Sequence, residues 1–164
     1  MFEREVVLKL IGVLHTPHQT LEDMPIQPSG ALDIEGSAEL FPEYAEGLTD
    51  LEGFSHAILL YHLHKASGCK LRVKPFMDTV EHGIFATRSP CRPAAIGMSV
   101  VRISAVADGR LVFTGADMLD GTPLIDIKPF FGPVDNQPDA VSGWLETKDK
   151  NPAGLRHSDN RFCS

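Results

Sequence analysis

The sequence lacks the signatures of a disulfide framework, a zinc ribbon and a membrane span. Its three cysteines, Cys69, Cys91 and Cys163, are an odd number and show no Cys-x-x-Cys spacing. Apolar runs such as residues 57–61 are far shorter than the roughly 20 residues that cross a bilayer. The N-terminal residues carry charges of both signs and lack the apolar stretch of a secretory signal. We therefore expect a cytoplasmic protein with free thiols.

Glycine-rich nucleotide-binding motifs are also missing. No Gly-x-Gly-x-x-Gly occurs, which argues against a Rossmann-type cofactor fold, and the absence of a P-loop disfavours nucleotide hydrolysis. No Gly-x-Ser-x-Gly occurs either, so the hydrolase signature that depends on it is unsupported.

Positive charge is scarce, since the formal net charge is −7. Nucleic-acid binding draws much of its affinity from Lys and Arg, so an RNA site would have to be a local basic patch. A chain of 164 residues, of which 43% are hydrophobic, is long enough to bury a core. We expect a single domain over residues 1–164, with a loop-rich tail from about residue 131 that is held by Trp144 and Leu145.

Short β-branched and apolar segments, separated by turns, predict a mainly β protein. The pairs Asp108-Gly109 and Asp120-Gly121 are typical of tight turns. Several short strands with such turns predict a barrel or a sandwich with one or two short helices. The predicted strands cover residues 5–13, 34–40 (or the approach to a short helix at 42–47), 54–64, 97–106, 110–115 and 123–127.

The segment at residues 83–99 contains two prolines, Pro90 and Pro93, and two arginines, Arg88 and Arg92. Its prolines keep the chain out of helices and strand pairing, so the two guanidinium groups lie on a stiff loop. Arginine binds carboxylates and phosphates through several hydrogen bonds, which suits a ligand clamp. The alternative is a proline-rich crossing whose arginines are ordinary surface charges.

Three aspartates, Asp117, Asp120 and Asp126, lie around the next predicted turn. Carboxylates at a strand end can accept ribose hydroxyls or lie near a sulfonium cation. The alternative for Asp120-Gly121 is a simple hairpin turn, and Lys128 could pair with Asp126 on the surface.

Histidines in the predicted strand at residues 54–64 raise a metal hypothesis. A regular strand would place His56, His62 and His64 on one face, with His62 and His64 about 7 Å apart. A metal site needs three or four ligands, and the cysteines supply no matching set, so we expect no metal. His64 beside Lys65, at the strand end, is the better candidate for a ligand contact.

Eight short motifs occur along the chain, and together they span most of it. They are Ile11-Gly12-Val13, Phe54-Ser55-His56, Thr87-Arg88-Ser89-Pro90, Arg92-Pro93, Ile96-Gly97-Met98-Ser99-Val100-Val101, Leu119-Asp120-Gly121-Thr122-Pro123, Gly143-Trp144-Leu145 and Asp159-Asn160-Arg161-Phe162. In this order they resemble the motifs of the TrmO (YaeB-like) family of tRNA-modifying enzymes. The resemblance implies a non-Rossmann β-barrel that binds S-adenosylmethionine. It also implies a homodimer that methylates N6 of threonylcarbamoyladenosine beside the anticodon of tRNA.

The resemblance also implies a set of site residues, with Arg92 beside the cofactor pocket as a substrate contact. The proton acceptor stays unassigned, since a carboxylate such as Asp120 or a histidine could serve. The implied cofactor residues are Pro25, Ile26, Gln27, His64, Lys65, Arg88, Met98, Leu119, Asp120, Gly121 and Thr122.

Three departures from the family pattern leave the methyl acceptor open. Ala94-Ala95 stands where the family commonly has Asn-Pro, and Ile26 stands where it has an arginine. The longer bacterial members also carry a C-terminal domain. One alternative is therefore a methyltransferase of the same fold with a small-molecule acceptor, and another is a non-catalytic protein that binds S-adenosylmethionine.

Overall fold

The computed structural model describes residues 4–25, 31–76 and 78–147. Within them, the strands are β1 (Gly12–His15), β2 (Glu35–Leu40), β3 (His56–His62), β4 (Arg72–Val73), β5 (His82–Gly83), β6 (Ile96–Ala107), β7 (Arg110–Thr114) and β8 (Thr122–Pro129). Six of them close into an antiparallel barrel in the order β1-β2-β7-β6-β3-β8, and β4 pairs with β5 in a separate small sheet. The predicted mainly β barrel is therefore confirmed.

Helical structure in these residues is short. It consists of one α-helical turn, α1 (Gly132–Asp135), and of 3₁₀ turns. None of the helices is long and apolar enough to cross a membrane. The 3₁₀ turns cover Leu21–Asp23, Pro42–Leu48, Leu51–Gly53, Ile84–Ala86 and Gly143–Thr147.

Alternating apolar residues on the strands fill the barrel interior. Leu14, Leu59, Leu111, Phe113 and Leu124 each have no exposed surface, and they come from four different barrel strands. Burying a side chain of this size contributes about 1.5–3 kcal/mol. The closed barrel thus has a packed centre, and any large cavity has to lie at its ends or on its outside.

Residues 63–95, here called the β3–β6 excursion, leave the barrel after β3 and return at β6. The excursion has its own small core of Val73, Ile84 and Cys91, with Phe76 packed against it. The chain that follows the barrel returns to the β3–β6 excursion, because Trp144 Nε1 donates a hydrogen bond of 2.8 Å to the Ala86 carbonyl. The Trp144 ring also stacks on His82, with centroids 4.3 Å apart.

The first predicted strand was placed too early. Residues 5–10 form no strand, and β1 is Gly12–His15. Hydrogen bonding to the neighbouring strands starts at Ile11, whose N–H donates to the Leu124 carbonyl at 2.9 Å. Val6 and Val7 are 80% and 97% exposed. A β-branched sequence forms a strand only where a partner strand satisfies its backbone, and here the partners begin later.

The other strand predictions agree with the structure to within about two residues at most ends, and the predicted helix at 42–47 is a 3₁₀ helix. The prediction that His64 shares a strand face with His56 and His62 was wrong. β3 ends at His62, and the Ala66 N–H closes a turn onto the Leu63 carbonyl at 2.9 Å. A single domain over residues 1–164 stays a prediction, because residues 148–164 lie outside the described part.

Gly97 decides how β3 and β6 pack at the end of the barrel. It is the register partner of Tyr61, and a Cβ atom at position 97 would lie 2.2 Å from the Tyr61 ring. Tyr61 is 5% exposed, so its ring has little room to move. Only glycine therefore allows the Tyr61 ring to lie across β6.

We expect Gly97→Ala to lower the free energy of unfolding by about 1–3 kcal/mol, because the added methyl group overpacks a buried ring. Urea denaturation followed by circular dichroism measures this change. Gly47→Ala is the matched control, since nothing lies within 4 Å of a Cβ atom there. Equal stability of the two variants would contradict the account of Gly97.

Candidate active site

A cavity of about 980 Å³ lies where the end of β3, the start of β6, the β3–β6 excursion and the segment before β8 meet. Leu21 and Met24 border it from the loop after β1, and Trp144 and Leu145 border it from the C-terminal 3₁₀ turn. Its volume is at the upper end of the range for sites that hold drug-sized ligands.

The structure brings most of the sequence-predicted site residues together around this cavity. They come from segments far apart in the chain and share no secondary-structure element. The predicted residues that line the cavity are Pro25, His64, Lys65, Arg88, Arg92, Met98, Leu119 and Thr122. Ile26 and Gln27 lie outside the described residues.

Asp120 and Gly121 are not among the lining residues, and their backbone groups support the barrel end. The Asp120 N–H donates to the His18 carbonyl at 2.8 Å, and the Gly121 N–H donates to the Leu14 carbonyl at 2.9 Å. The carboxylate of Asp120 accepts from the Thr16 N–H at 3.1 Å. Desolvation alone would raise the pKa of Asp120, but this bond, a side-chain bond from Gln19 and the nearby His15 together hold it below its usual value.

Arg88 and Arg92, the two arginines of the proline-containing loop, make different contacts. Arg92 Nη1 donates to the carbonyls of Thr87 and Ser89 at 3.0 and 3.3 Å, so its guanidinium holds the loop in shape. Arg88 is exposed, lies on the cavity wall and interacts electrostatically with Asp117. Arg88 is therefore the arginine that is more available to a ligand.

His64 lies on the cavity wall beside Lys65. Desolvation, followed by the charge of Lys65, lowers the pKa of His64. The imidazole is therefore neutral near pH 7. Among the described residues, no group of three or more His, Cys, Asp or Glu side chains could hold a metal ion, so the hypothesis built on His62 and His64 gains no support.

The sequence did not single out a buried hydrogen-bonded chain, here called the Tyr61–Ser99–Asp117 relay. Ser99 Oγ donates to Asp117 Oδ1 at 2.6 Å, and the Tyr61 hydroxyl lies 2.9 Å from Ser99 Oγ. Ser99 has one proton, so while Asp117 is ionised Tyr61 donates to Ser99 and Ser99 donates to Asp117. Tyr61 and Asp117 both line the cavity, whereas Ser99 is 1% exposed.

Burial changes the acidity of both ends of this relay. Desolvation raises the pKa of Asp117 to about 6, although the bond from Ser99, a bond from its own backbone N–H and the charges of His18 and Arg88 oppose it. Desolvation, together with the charge of Asp117, also raises the pKa of Tyr61. Tyr61 therefore stays protonated as a donor, while Asp117 titrates close to neutral pH.

Comparison with known proteins identifies the family. The family model for the tRNA-methyltransferase O N-terminal domain matches residues 13–136. The chain belongs to the tRNA-methyltransferase O (TrmO) family. The crystal structure of TrmO from Pseudomonas aeruginosa superimposes with a TM-score of 0.72 at 37% identity, covering 85% of this chain and 62% of that one. The resemblance seen in the motifs is confirmed.

Two curated relatives differ in how much of their own length this chain covers. A probable S-adenosyl-L-methionine-binding protein of Pyrococcus abyssi is 47% identical over 94% of this chain and 83% of its own length. The human tRNA (adenine(37)-N6)-methyltransferase is 31% identical over 94% of this chain, but only 37% of its own length is covered. This chain thus spans most of one relative and less than two thirds of the human and Pseudomonas proteins.

We expect Asp117→Asn to raise the free energy of unfolding at pH 8 by about 1–3 kcal/mol, because the amide removes a buried charge and can still accept from Ser99. The pKa of Asp117 is about 6 in the folded protein and close to 4 in the unfolded chain. As the pH falls from about 6 to about 4, Asp117 is therefore protonated in the folded state but not yet in the unfolded chain. The free energy of unfolding of the wild-type protein rises over this range, and the difference between the variant and the wild type becomes smaller.

Urea denaturation at pH 8 and pH 5 checks this prediction. Asp126→Asn is the matched control, because Asp126 is 40% exposed and pairs with Lys128 at 2.8 Å on the surface. We expect the control to change stability by less than about 1 kcal/mol at either pH. A destabilised Asp117→Asn protein at pH 8 would contradict the buried-charge account.

Proposed function

We propose that this protein is an S-adenosylmethionine-dependent methyltransferase that methylates N6 of threonylcarbamoyladenosine beside the anticodon of tRNA. The observation that carries the proposal is the cavity at the barrel end, where Arg88, Lys65 and His64 face the same space as the half-buried carboxylate of Asp117. Membership of the TrmO family supports it. Relatives named as S-adenosylmethionine-binding proteins and as a tRNA methyltransferase point to the same cofactor and substrate.

The cavity residues fit the chemical groups of S-adenosylmethionine. Arg88 and Lys65 offer positive charge to its carboxylate, and the side chains of Met98 and Leu119 offer apolar contact to its adenine. When bound, S-adenosylmethionine supplies a methyl group on a positively charged sulfur. The chain's own task is to orient the acceptor and to exclude water, because correct placement lowers the barrier of a two-reactant step.

The net negative charge is distributed unevenly, and the β3–β6 excursion is basic. Residues 63–95 contain six Lys or Arg against two Asp or Glu, so the rest of the chain carries the acidic excess. Lys65, Lys70 and Lys74 are exposed within it. The excursion forms one wall of the cavity. This is the local basic patch that an RNA site requires, and it supports tRNA as the substrate.

One observation favours a second candidate, a methyltransferase with a small-molecule acceptor. Ala94 lies on the cavity wall at the position where the family commonly has asparagine. The methyl group of Ala94 neither donates nor accepts a hydrogen bond, so it cannot bind the substrate in the way that an asparagine amide can.

We also propose that the protein is a cytoplasmic homodimer. Val100 on the outward face of β6 is 37% exposed, and the apolar residues at 6–8 are at least 50% exposed. Such surfaces are common at interfaces between subunits. Light scattering of the purified chain tests the homodimer, and a monomer at micromolar concentration would contradict it.

The wild-type protein, incubated with radiolabelled S-adenosylmethionine and total tRNA, is expected to label N6-methylated threonylcarbamoyladenosine. Nucleoside analysis by mass spectrometry identifies the product. Arg88→Ala should lower kcat/KM by roughly 10- to 100-fold, because it removes a charged contact in the cavity. Arg110→Ala is the matched control, since Arg110 pairs with Glu39 at 2.7 Å and does not line this cavity.

Two results would overturn the proposal in different ways. Transfer of label to small acceptors, with none to tRNA, would favour the small-molecule reading. Cofactor binding without transfer to any acceptor in a cell extract would favour a binding protein.

The double variant Lys70→Ala/Lys74→Ala should raise KM for tRNA and leave kcat unchanged, because these exposed side chains lie on the basic excursion. Each phosphate contact contributes about 0.7–0.9 to the slope of log affinity against log salt. The magnitude of the slope should therefore fall by about 1.4–1.8 when tRNA binding is measured between about 50 and 200 mM salt.

The matched control is Lys9→Ala/Lys128→Ala, which removes two lysines outside the excursion. An equal change in slope for both double variants would show that the β3–β6 excursion is not the preferred RNA surface.

A further inference from the structure

We propose that Asp117 is the catalytic base that takes the proton from the acceptor nitrogen, and that Ser99 and Tyr61 are positioning residues that hold it. This inference rests on the proposed function, because it assigns a step of that methyl transfer. The sequence left the base unassigned, with a carboxylate such as Asp120 or a histidine as open alternatives.

The position of Asp117 meets the first requirement for a base, which is access to the ligand. Asp117 lines the cavity together with Arg88 and Met98, whereas Asp120 does not line it and is held by the Thr16 N–H. A carboxylate has two oxygens, and Ser99 bonds to one of them at 2.6 Å. The second oxygen provides a place for the proton of a bound acceptor.

The surroundings of Asp117 meet the second requirement, a protonation state suited to proton uptake near neutral pH. The ionisable groups that act on it are Tyr61 from β3, His18 from the loop after β1, and Arg88 from the β3–β6 excursion. His18 Nε2 is bonded to the Ala116 carbonyl at 2.9 Å, and Asp117 has Ser99 as its side-chain hydrogen-bond donor. A base is most effective when its pKa lies near the working pH, and that of Asp117 is about 6.

The chemistry of the acceptor explains why a base is needed. N6 of threonylcarbamoyladenosine is bonded both to the purine and to a carbonyl carbon, so its lone pair is delocalised and weakly nucleophilic. In the transfer, N6 forms a bond to the methyl carbon, and the carbon–sulfur electron pair stays on sulfur as a neutral thioether. The N6 proton passes to the Asp117 carboxylate and then to water. Charge and atoms balance without another reactant.

The relay fixes the orientation of the carboxylate. Ser99 lies on the inward face of β6 and is 1% exposed, so its hydroxyl has few other directions to take. Tyr61, donating at 2.9 Å, orients the Ser99 hydroxyl toward Asp117. Gly97 leaves the space that the Tyr61 ring needs. A base held in one geometry loses less rate to misalignment than a freely rotating one.

The test is single-turnover methyl transfer to tRNA at saturating S-adenosylmethionine, from pH 5 to pH 9, with wild-type protein and Asp117→Asn. The wild-type rate should rise with a midpoint near pH 6 and then level off, because the base works only when it is deprotonated. Asp117→Asn should lose about 10²- to 10⁴-fold in rate, and its residual rate should lack this acid limb. Its dissociation constant for S-adenosylmethionine, measured by calorimetry, should stay within about threefold.

The positioning role has its own readout. Ser99→Ala removes the donor that lowers the pKa of Asp117, so the midpoint of the acid limb should move to higher pH while KM for tRNA is unchanged. Tyr61→Phe should move the midpoint in the same direction by less. Asp126→Asn should leave the whole pH profile unchanged.

Three other outcomes would contradict the assignment of Asp117 as the base. Asp117→Asn with a rate within threefold of wild type, or with the acid limb retained, excludes Asp117 as the base and points to His64. Loss of cofactor binding in a folded Asp117→Asn protein makes Asp117 a cofactor contact. A wild-type protein that binds S-adenosylmethionine but methylates no tRNA overturns the proposed function together with this assignment.

Discussion

The pairing of β8 with both β1 and β3 closes the barrel, and the position of the cavity depends on this closure. A closed antiparallel barrel satisfies the backbone of every strand and leaves no sheet edge exposed. It also brings the end of β3, the start of β6 and the segment before β8 to one place. The apolar centre of the barrel is packed with side chains, so the ligand space forms at this end, under the β3–β6 excursion.

Charge is separated between the barrel and the excursion that covers its end. The barrel and its other loops carry the acidic excess, whereas residues 63–95 have more basic than acidic side chains. Repulsion from the acidic remainder would disfavour RNA over most of the surface. An RNA strand would therefore be directed to the excursion, and so to the cavity. This arrangement reconciles a net charge of −7 with the proposed tRNA substrate.

Asp117 illustrates a conflict between stability and function. A half-buried carboxylate that is largely desolvated costs stability at neutral pH, and an amide would fit the same space. Active sites commonly contain groups whose pKa values are shifted by burial in this way. The loss of stability is confined to Asp117 at the cavity, and the buried apolar side chains of the barrel core offset it.

Much of the fold could be predicted from the sequence, because strand preference and turn chemistry are local. The hairpin between β6 and β7 is an example: Asp108 and Gly109 have φ angles of 51° and 73°, which these two residue types tolerate. The motifs also identified the family, and most of the residues they implied line the cavity. The early strand at 5–13 and the face assigned to His64 failed, because partner strands and turns decide where a strand begins and ends.

The sequence by itself determined a mainly β chain, its family and the segments that form the cavity. Only the tertiary structure decided which side chains meet there. Tyr61 and Ser99 are 38 residues apart in the chain, and Ser99 and Asp117 are 18 apart. Their contact depends on the β3–β6 register and on the space beside Gly97, and a shift of one residue would turn Ser99 to the outer face. Register is a property of paired strands, so no single segment of the sequence contains it.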